Sequence, residues 1–472
     1  MKKQLYIFFA FMLIGLACSM PKSINSSIKF NTIPVQYQVK DTNKISKISM
    51  TQYFNDTLLL RLLDSALVYN NDLQMAYQKV EMAKSILQFN KGNLLPQLST
   101  GGTAGINRFG LYTMDGAGNS TTDITPGNRI PLNLTDLYLG LQTSWEVDFR
   151  GKLSSQKKSA AAKLLASQEG LKYVKINIIS EVAFAYYNLI ALDKELEIIT
   201  ETSKKQMEAL EYVKAQKEAG KSNELAVLQF SAQLHNLNIL EWEVKQQMAR
   251  SENQLNYLIG RFPQFINRDK NGLNTPNVIL HTGIPSDMLT NRPDIQLASF
   301  QLAAMRLDVK AAKAAFLPSF TINGGIGFQA FNSAYLFRSP ESMAYSFLGG
   351  LVAPLVNKSA IKSAFNTAKA SEIDAMAFYQ QKVLNGYIEV VNGVNEVNNL
   401  DKIHKLAINK NIENINAVES ALSLFKSARV PYLDVIISQQ NALQSNLELV
   451  DIARRIKIAN INLYKSIGGA AE

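Results

Sequence analysis

The chain has 472 residues, 47% of them apolar, and a formal charge of +10, room enough for two or three globular domains or one elongated one. After the first twenty residues no apolar run approaches the length of a membrane-spanning helix, which argues against a helical membrane protein. The basic residues are spread along helical segments rather than clustered, so they read as solvated helix faces and not as a nucleic-acid surface.

Lys2 and Lys3 precede an apolar run from Leu5 to Ala17, the pattern of an export signal over residues 1–17. The run stops at Cys18, the only cysteine, so an intramolecular disulfide is impossible. Either the cysteine stands there by chance, or the signal is of the bacterial lipoprotein kind and Cys18 is lipidated as the first mature residue. Leu16 and Ala17 fit such a signal, while Gly15 occupies the place where leucine is usual and Ile14 stands one position early. Lipidation is the expectation, and it would anchor the chain without spanning a membrane.

From residue 71 the chain carries a sequence that it later repeats. Asp72, Ala76, Lys84, Leu95, Pro96 and Gly102 recur as Asp294, Ala298, Arg306, Leu317, Pro318 and Gly324, at an offset of 222. Further on, Leu225, Val227, Leu255 and Gly260 recur as Leu433, Val435, Leu463 and Gly468, at an offset of 208. The difference falls between the strands of each copy, where the Gly-, Thr- and Asn-rich stretch 110–135 faces the shorter 332–342. A duplicated unit differing in one polar loop implies a pseudo-symmetric architecture.

Strands are predicted at about 97–109 and 136–149 in the first copy and at about 319–331 and 343–355 in the second. In the second of these, Leu137, Leu139, Leu141, Thr143, Trp145, Val147 and Phe149 share one face, and Tyr138, Gly140, Gln142, Ser144, Glu146 and Asp148 the other. Each strand is long enough to cross an outer membrane when tilted. Two hairpins give four strands, too few to close a barrel with a lumen, so a spanning role requires several chains.

The stretches Leu132 to Phe262 and Leu355 to Val430 hold no proline between their ends and are rich in helix formers. A helix from Ser154 to Ala219 would be about 100 Å long. It turns at Gly220-Lys221-Ser222-Asn223 into a second helix reaching about Ile259. The later copy turns at Ala428-Arg429-Val430-Pro431, with Pro431 suited to a first helical turn. Beyond each turn, Leu225, Leu228, Leu234 and Leu237, then Leu433, Ile436, Ile437, Leu443 and Leu447, are spaced as the core of a packed helical seam. The Pro- and Asn-bearing stretch Asn271 to Pro285 reads as a connector between copies.

Nothing reads as catalysis. His235, His281 and His404 are far apart and fit no metal spacing. No phosphate loop, dinucleotide fingerprint or nucleophile elbow is present. Glu195 and Glu197 suit a solvated helix face, and the thirteen methionines are dispersed. No cofactor or metal is expected.

The string Asn291-Arg292-Pro293-Asp294-Ile295, followed by Ala311-Ala312-Lys313-Ala314-Ala315-Phe316-Leu317-Pro318-Ser319-Phe320, resembles the signature of TolC-like outer-membrane efflux proteins. The ending Asn462-Leu463-Tyr464-Lys465-Ser466-Ile467-Gly468-Gly469 and the strand end Trp145-Glu146-Val147-Asp148-Phe149 are similar to the branch of lipoproteins serving resistance-nodulation-division pumps. The resemblance implies an α+β membrane protein, with a long α-helical periplasmic barrel and four transmembrane β-strands per chain in a shared trimeric β-barrel. It divides the chain into a signal (1–17), an N-terminal equatorial segment (18–50), a first repeat (51–261), an equatorial linker (262–288) and a second repeat (289–472). It implies a passive exit duct in the outer membrane, working as a homotrimer in contact with outer-membrane lipid. The partners it implies are a periplasmic adaptor (membrane fusion) protein and an inner-membrane pump.

The resemblance also places a periplasmic gate and the adaptor contact at Gly220, Lys221, Ser222, Asn223 and Glu224, and at Arg429, Val430, Pro431, Tyr432 and Asp434. Pump-lipoprotein relatives carry aspartates where this chain has Val430 and Ile437, whereas Asp434 agrees with an acidic position of the protein-secretion branch. Asp434 is either one member of a ring of three like charges or a solvated helix-end charge. Two other functions fit the same residues: the outer-membrane channel of an ABC-driven protein or peptide secretion system, and a lipid-anchored helical scaffold without a pore.

Overall fold

The computed structural model describes residues 34, 49–274, 280–283, 285–354, 359–427 and 429–469. Cys18, the signal and most of the 18–50 segment lie outside the described residues, as do Ala428 and the last residue of the fourth expected strand. The helices are α1 (Met50–Tyr53), α2 (Thr57–Tyr69), α3 (Asn71–Gly92), α4 (Met114–Thr121), α5 (Lys152–Glu218), α6 (Glu224–Leu258), α7 (Met288–Asn291), α8 (Pro293–Ala314), α9 (Ser359–Lys426) and α10 (Tyr432–Ser466). The strands are β1 (Gln97–Asn107), β2 (Asp123–Thr125), β3 (Asn128–Arg129), β4 (Leu134–Val147), β5 (Ser319–Ala330) and β6 (Met343–Val352). No helix among the described residues is long and apolar enough to cross a membrane.

The chain divides into two compact units. One, from Met82–Leu164 and Phe300–Met376, holds an antiparallel sheet ordered β1-β4-β5-β6. The second strand ends two residues earlier than expected because Asp148 turns to serve a helix. Its carboxylate accepts from the backbone N–H of Leu153 (2.9 Å) and Ser154 (2.6 Å), satisfying donors that the first turn of α5 leaves free. The stretch 110–135 is not a plain loop: it folds as α4 and a small β2–β3 hairpin.

The other unit includes Leu165–Ser299, Ala377–Glu472 and a stretch ending at Glu81. Its main core joins Leu59, Leu63 and Leu73 of α2 and α3 to Val182, Tyr186, Leu189 and Ile190 of α5, Leu255 of α6 and Tyr464 of α10. Each fully buried leucine or isoleucine contributes about 1.5–3 kcal/mol. The Tyr186 hydroxyl donates to Asp56 (2.7 Å) and accepts from the Asp269 N–H (3.2 Å), and burial pushes its pKa far up, so it stays a neutral donor.

The duplication is visible as a duplicated clasp. Asn70, just before α3, donates to the Leu258 carbonyl at the end of α6 (2.8 Å). Arg292, just before α8, donates to the Ser466 carbonyl at the end of α10 (2.8 Å). Asn70 and Arg292 are related by the 222 offset, Leu258 and Ser466 by the 208 offset. Each of these helices ends on a left-handed glycine, Gly260 (φ +71°) or Gly468 (φ +106°), pressed against the chain just before α3 or α8 of the same copy. A Cβ would lie 2.3 Å from the Tyr69 carbonyl oxygen in one case and 2.5 Å from that of Asn291 in the other.

The copies differ in charge. Arg292 is buried and doubly bonded to Asp294 (3.0 and 2.9 Å), with a further bond to Glu389 (2.7 Å). Burial by itself would lower its pKa; the bonds and charges of Asp294 and Glu389 outweigh that and hold it above the usual value. Arg292→Ala therefore strands a buried carboxylate at a cost of about 3–5 kcal/mol, whereas Asn70→Ala loses a neutral clasp worth about 1–3 kcal/mol. Thermal unfolding followed by far-ultraviolet circular dichroism should show the larger drop in midpoint for Arg292→Ala, and equal drops would contradict the difference.

Candidate functional site

Antiparallel pairing sets directly opposed residues on one face of a sheet. The observed register extends the alternation of β4 across all four strands. Leu139 opposes Gly102 and Phe328, and Phe328 opposes Met343; Leu141 opposes Thr100 and Ile326, and Ile326 opposes Tyr345. Trp145 opposes Ile322, and Val147 opposes Phe320, which opposes Leu351. One face is therefore mainly apolar and aromatic, with Thr100 and Thr143 among its polar members. The other carries Ser99, Thr103 and Asn107 of β1, Asp136, Gln142 and Glu146 of β4, and Thr321, Asn323 and Gln329 of β5, with Leu134 and Tyr138 of β4 and Ala344, Leu348 and Val352 of β6 as exceptions. Gln329 donates to Asp136 across this face (2.8 Å). The sheet thus has a wall suited to hydrocarbon and a wall suited to water. β1 and β6 are its outer strands, and among the described residues neither has a partner on its free side.

The two expected turns are built alike. At the end of α5, Gly220 takes φ +69° while the Lys221 N–H reaches back to the Gln216 carbonyl (2.8 Å). At the end of α9, the Arg429 N–H reaches back to the Leu424 carbonyl over the same five-residue span (2.9 Å). The next helix then begins on Asn223 in the first turn, whose side chain accepts from the Ala226 N–H (3.0 Å). In the second it begins on Pro431, which occupies the cap position rather than the first turn and makes no side-chain cap bond. Both turns flank one apolar cluster of Leu210, Val213, Ala226 and Phe230 with Ala421, Val435 and Ile436.

Gly220, Lys221, Asn223, Glu224, Arg429, Pro431 and Asp434 are exposed, and Ser222, Val430 and Tyr432 are half-buried. Among the described residues neither Arg429 nor Asp434 forms an ion pair. Lys217, which precedes the predicted turn residues, pairs with Glu224 across the first turn. A basic residue in a last helical turn followed by an acid opening the next helix is the signal for it.

The seam after each turn departs from the expectation of a simple core. Leu237, Ile436 and Leu443 are buried, but Leu225, Leu228, Leu433 and Ile437 are 54%, 58%, 47% and 45% exposed. A helix turns its faces every 3.6 residues, and the intramolecular cluster uses Ala226, Phe230, Val435 and Ile436 instead. Leu225 and Leu228 of α6, with Leu433 and Ile437 of α10, are left as an exposed apolar stripe outside that cluster, whereas Leu234 packs against it. No group of His, Cys, Asp and Glu side chains arranged to hold a metal occurs among the described residues.

The sequence profile of the Outer membrane efflux protein family matches residues 62–261 and 284–469. The cation efflux system protein CusC of Escherichia coli (strain K12) is 25% identical over 450 residues, 93% of this chain and 93% of its own. The solvent efflux pump outer membrane protein SrpC of Pseudomonas putida is 26% identical over 420 residues, 89% of this chain and 86% of its own. The open-state Neisseria gonorrhoeae MtrE outer membrane channel shares the fold with a TM-score of 0.81 at 20% identity, over 95% of this chain and 99% of its own.

The first turn gives a direct test of its geometry. A side chain at Gly220 meets open space, so Gly220→Ala costs only the left-handed backbone, about 1–2 kcal/mol, and Asn223→Ala loses a cap worth about 1 kcal/mol. Hydrogen exchange over residues 214–228 should speed up several-fold in both variants while the four-stranded sheet is unchanged. No change at the turn would contradict the assignment.

Proposed function

The chain belongs to the outer membrane efflux protein family, and from that membership we propose that three copies close one barrel as the exit duct of a pump that sits in the inner membrane. It is an outer-membrane efflux channel, as its relatives are. The observation that carries the trimer is the four-stranded sheet, with one apolar face, one polar face and two free edges. Three copies give twelve strands, enough for an aqueous lumen, where four give none. The apolar face then meets lipid and the polar face lines the lumen.

The duct is passive. A periplasmic adaptor joins it to the pump, of the resistance-nodulation-division type, and the pump supplies the energy. Repeats at 51–261 and 289–472 build the wall, with 18–50 and 262–288 as equatorial segments, and a lipid on Cys18 tethers the mature N-terminus. The exposed stripe of Leu225, Leu228, Leu433 and Ile437 and the turn residues 220–224 and 429–434 supply the surface for the adaptor. The same turns close the periplasmic end, and shifts between packed helices open it. Three copies of Asp434 and Arg429, without an ion pair among the described residues, meet near the axis and hold the closed state by charge. Cargo is small-molecule; one relative is named for cations and another for solvents at nearly equal identity, so overall similarity leaves the chemical class open.

In planar bilayers the purified protein should conduct ions, and Asp434→Ala and Arg429→Ala should each raise closed-state leakage. Conductance with unchanged leakage would sink the charge gate, and absence of conductance would favour a scaffold. Labelled palmitate should enter the wild-type chain in cells and not Cys18→Ser, and equal labelling of both would remove the lipid anchor from Cys18.

A further inference from the structure

We infer that the chain carries an apolar knuckle just beyond β1 that docks on the β5–β6 connection of a second copy, stapling the outer end of each seam between protomers. The inference rests on the trimeric reading and concerns residues that lie outside the strands themselves.

The knuckle is Phe109 to Met114. In a stretch otherwise rich in Gly, Thr and Asn, Leu111 is 57% exposed, and Tyr112 and Met114 are almost fully exposed. Its backbone is nonetheless fixed. The Thr113 N–H and hydroxyl both donate to the Gly110 carbonyl (2.9 and 2.7 Å), and that hydroxyl accepts from the Gly116 N–H (3.1 Å) to open α4. Gly116 is packed so closely that a Cβ there would lie 2.0 Å from the Gly110 carbonyl oxygen. Large apolar side chains held out by a rigid turn lose little conformational entropy on docking, the condition that favours an interface.

Strand direction names the surface they meet. β1 and β6 are the free edges, and β1 runs toward the knuckle while β6 runs away from the β5–β6 connection. The sheet is antiparallel throughout, and continuing it across the seam sets β1 of one copy against β6 of the next, antiparallel in turn. The residues after Asn107 of one copy then lie beside the residues before Met343 of its neighbour. There the chain presents a second aromatic group: Phe337, 65% exposed, packs edge-on against Phe328 (5.8 Å), and Tyr335 against Phe331 (5.7 Å). Both surfaces present exposed aromatic side chains, both adjoin a free edge, and the seam brings them together, which commits the knuckle to a second copy of this chain rather than to lipid.

The test uses the full-length chain in the outer membrane. In a Cys18→Ser background, the pair Tyr112→Cys and Phe337→Cys, treated with a mild oxidant, should give disulfide-linked dimers and trimers on non-reducing gels. Either substitution by itself should give none, because the contact joins two different surfaces. Tyr112→Ser with Met114→Ser should lower the temperature at which the trimer dissociates, without slowing membrane insertion. A trimer by amine cross-linking that shows no disulfide ladder, while Tyr112→Cys is captured by a lipid-soluble thiol reagent, would overturn the knuckle contact and leave the trimer standing. A chain that is monomeric by the same amine cross-linking would overturn both.

Discussion

A strand edge cannot be left open in hydrocarbon. Each unpaired backbone N–H or carbonyl there costs several kcal/mol, and water is not at hand to satisfy it. The four-stranded sheet of this chain has two such edges, at β1 and β6, together with an apolar face that only lipid or protein can cover. Most other features follow from that demand. The sheet must be completed by further copies, the completed barrel must enclose a lumen, and the polar residues that alternate with the apolar ones must line it.

The duplication is the economical way to meet the demand. Two copies of one hairpin pair directly through β4 and β5, so each chain brings half the edges that isolated hairpins would. The helical part repeats with the same two offsets as the sequence, and the clasps at Asn70 and Arg292 show it at single-residue detail. Each joins the start of one repeat's helix to the end of that repeat's last helix, closing the copy on itself. The second copy has replaced a neutral amide by a guanidinium with two carboxylate partners. That change explains why Arg292, Pro293 and Asp294 stand out in the sequence: the arginine ties three helices, the proline opens α8 where no donor is needed, and the aspartate neutralises the buried charge.

Much of this was legible in the sequence because it depends on period and on chain-breaking residues. The period-two pattern of residues 137–147 anticipated the two faces of the sheet, and the long proline-free stretches anticipated α5 and α9. Tertiary contacts were not legible. The end of β4 depended on Asp148 serving α5, and the stretch 110–135 folded because Thr113 and Gly116 close a turn that composition does not reveal. The seam after each turn is only half legible, since spacing shows that a helix has an apolar side but not that Leu225 and Leu433 lie outside the buried one. At the turns, sequence placed the residues and the structure supplied the caps and closures that hold them.

The most direct measurement of the central claim is native mass spectrometry of the protein released from detergent micelles after extraction from outer membranes. Edge pairing between copies predicts a particle of three chains that survives micelle removal, with no stable particle of one or two. A single chain that keeps its strands protected from exchange in the micelle would contradict the account, because its edges would then be satisfied without a neighbour.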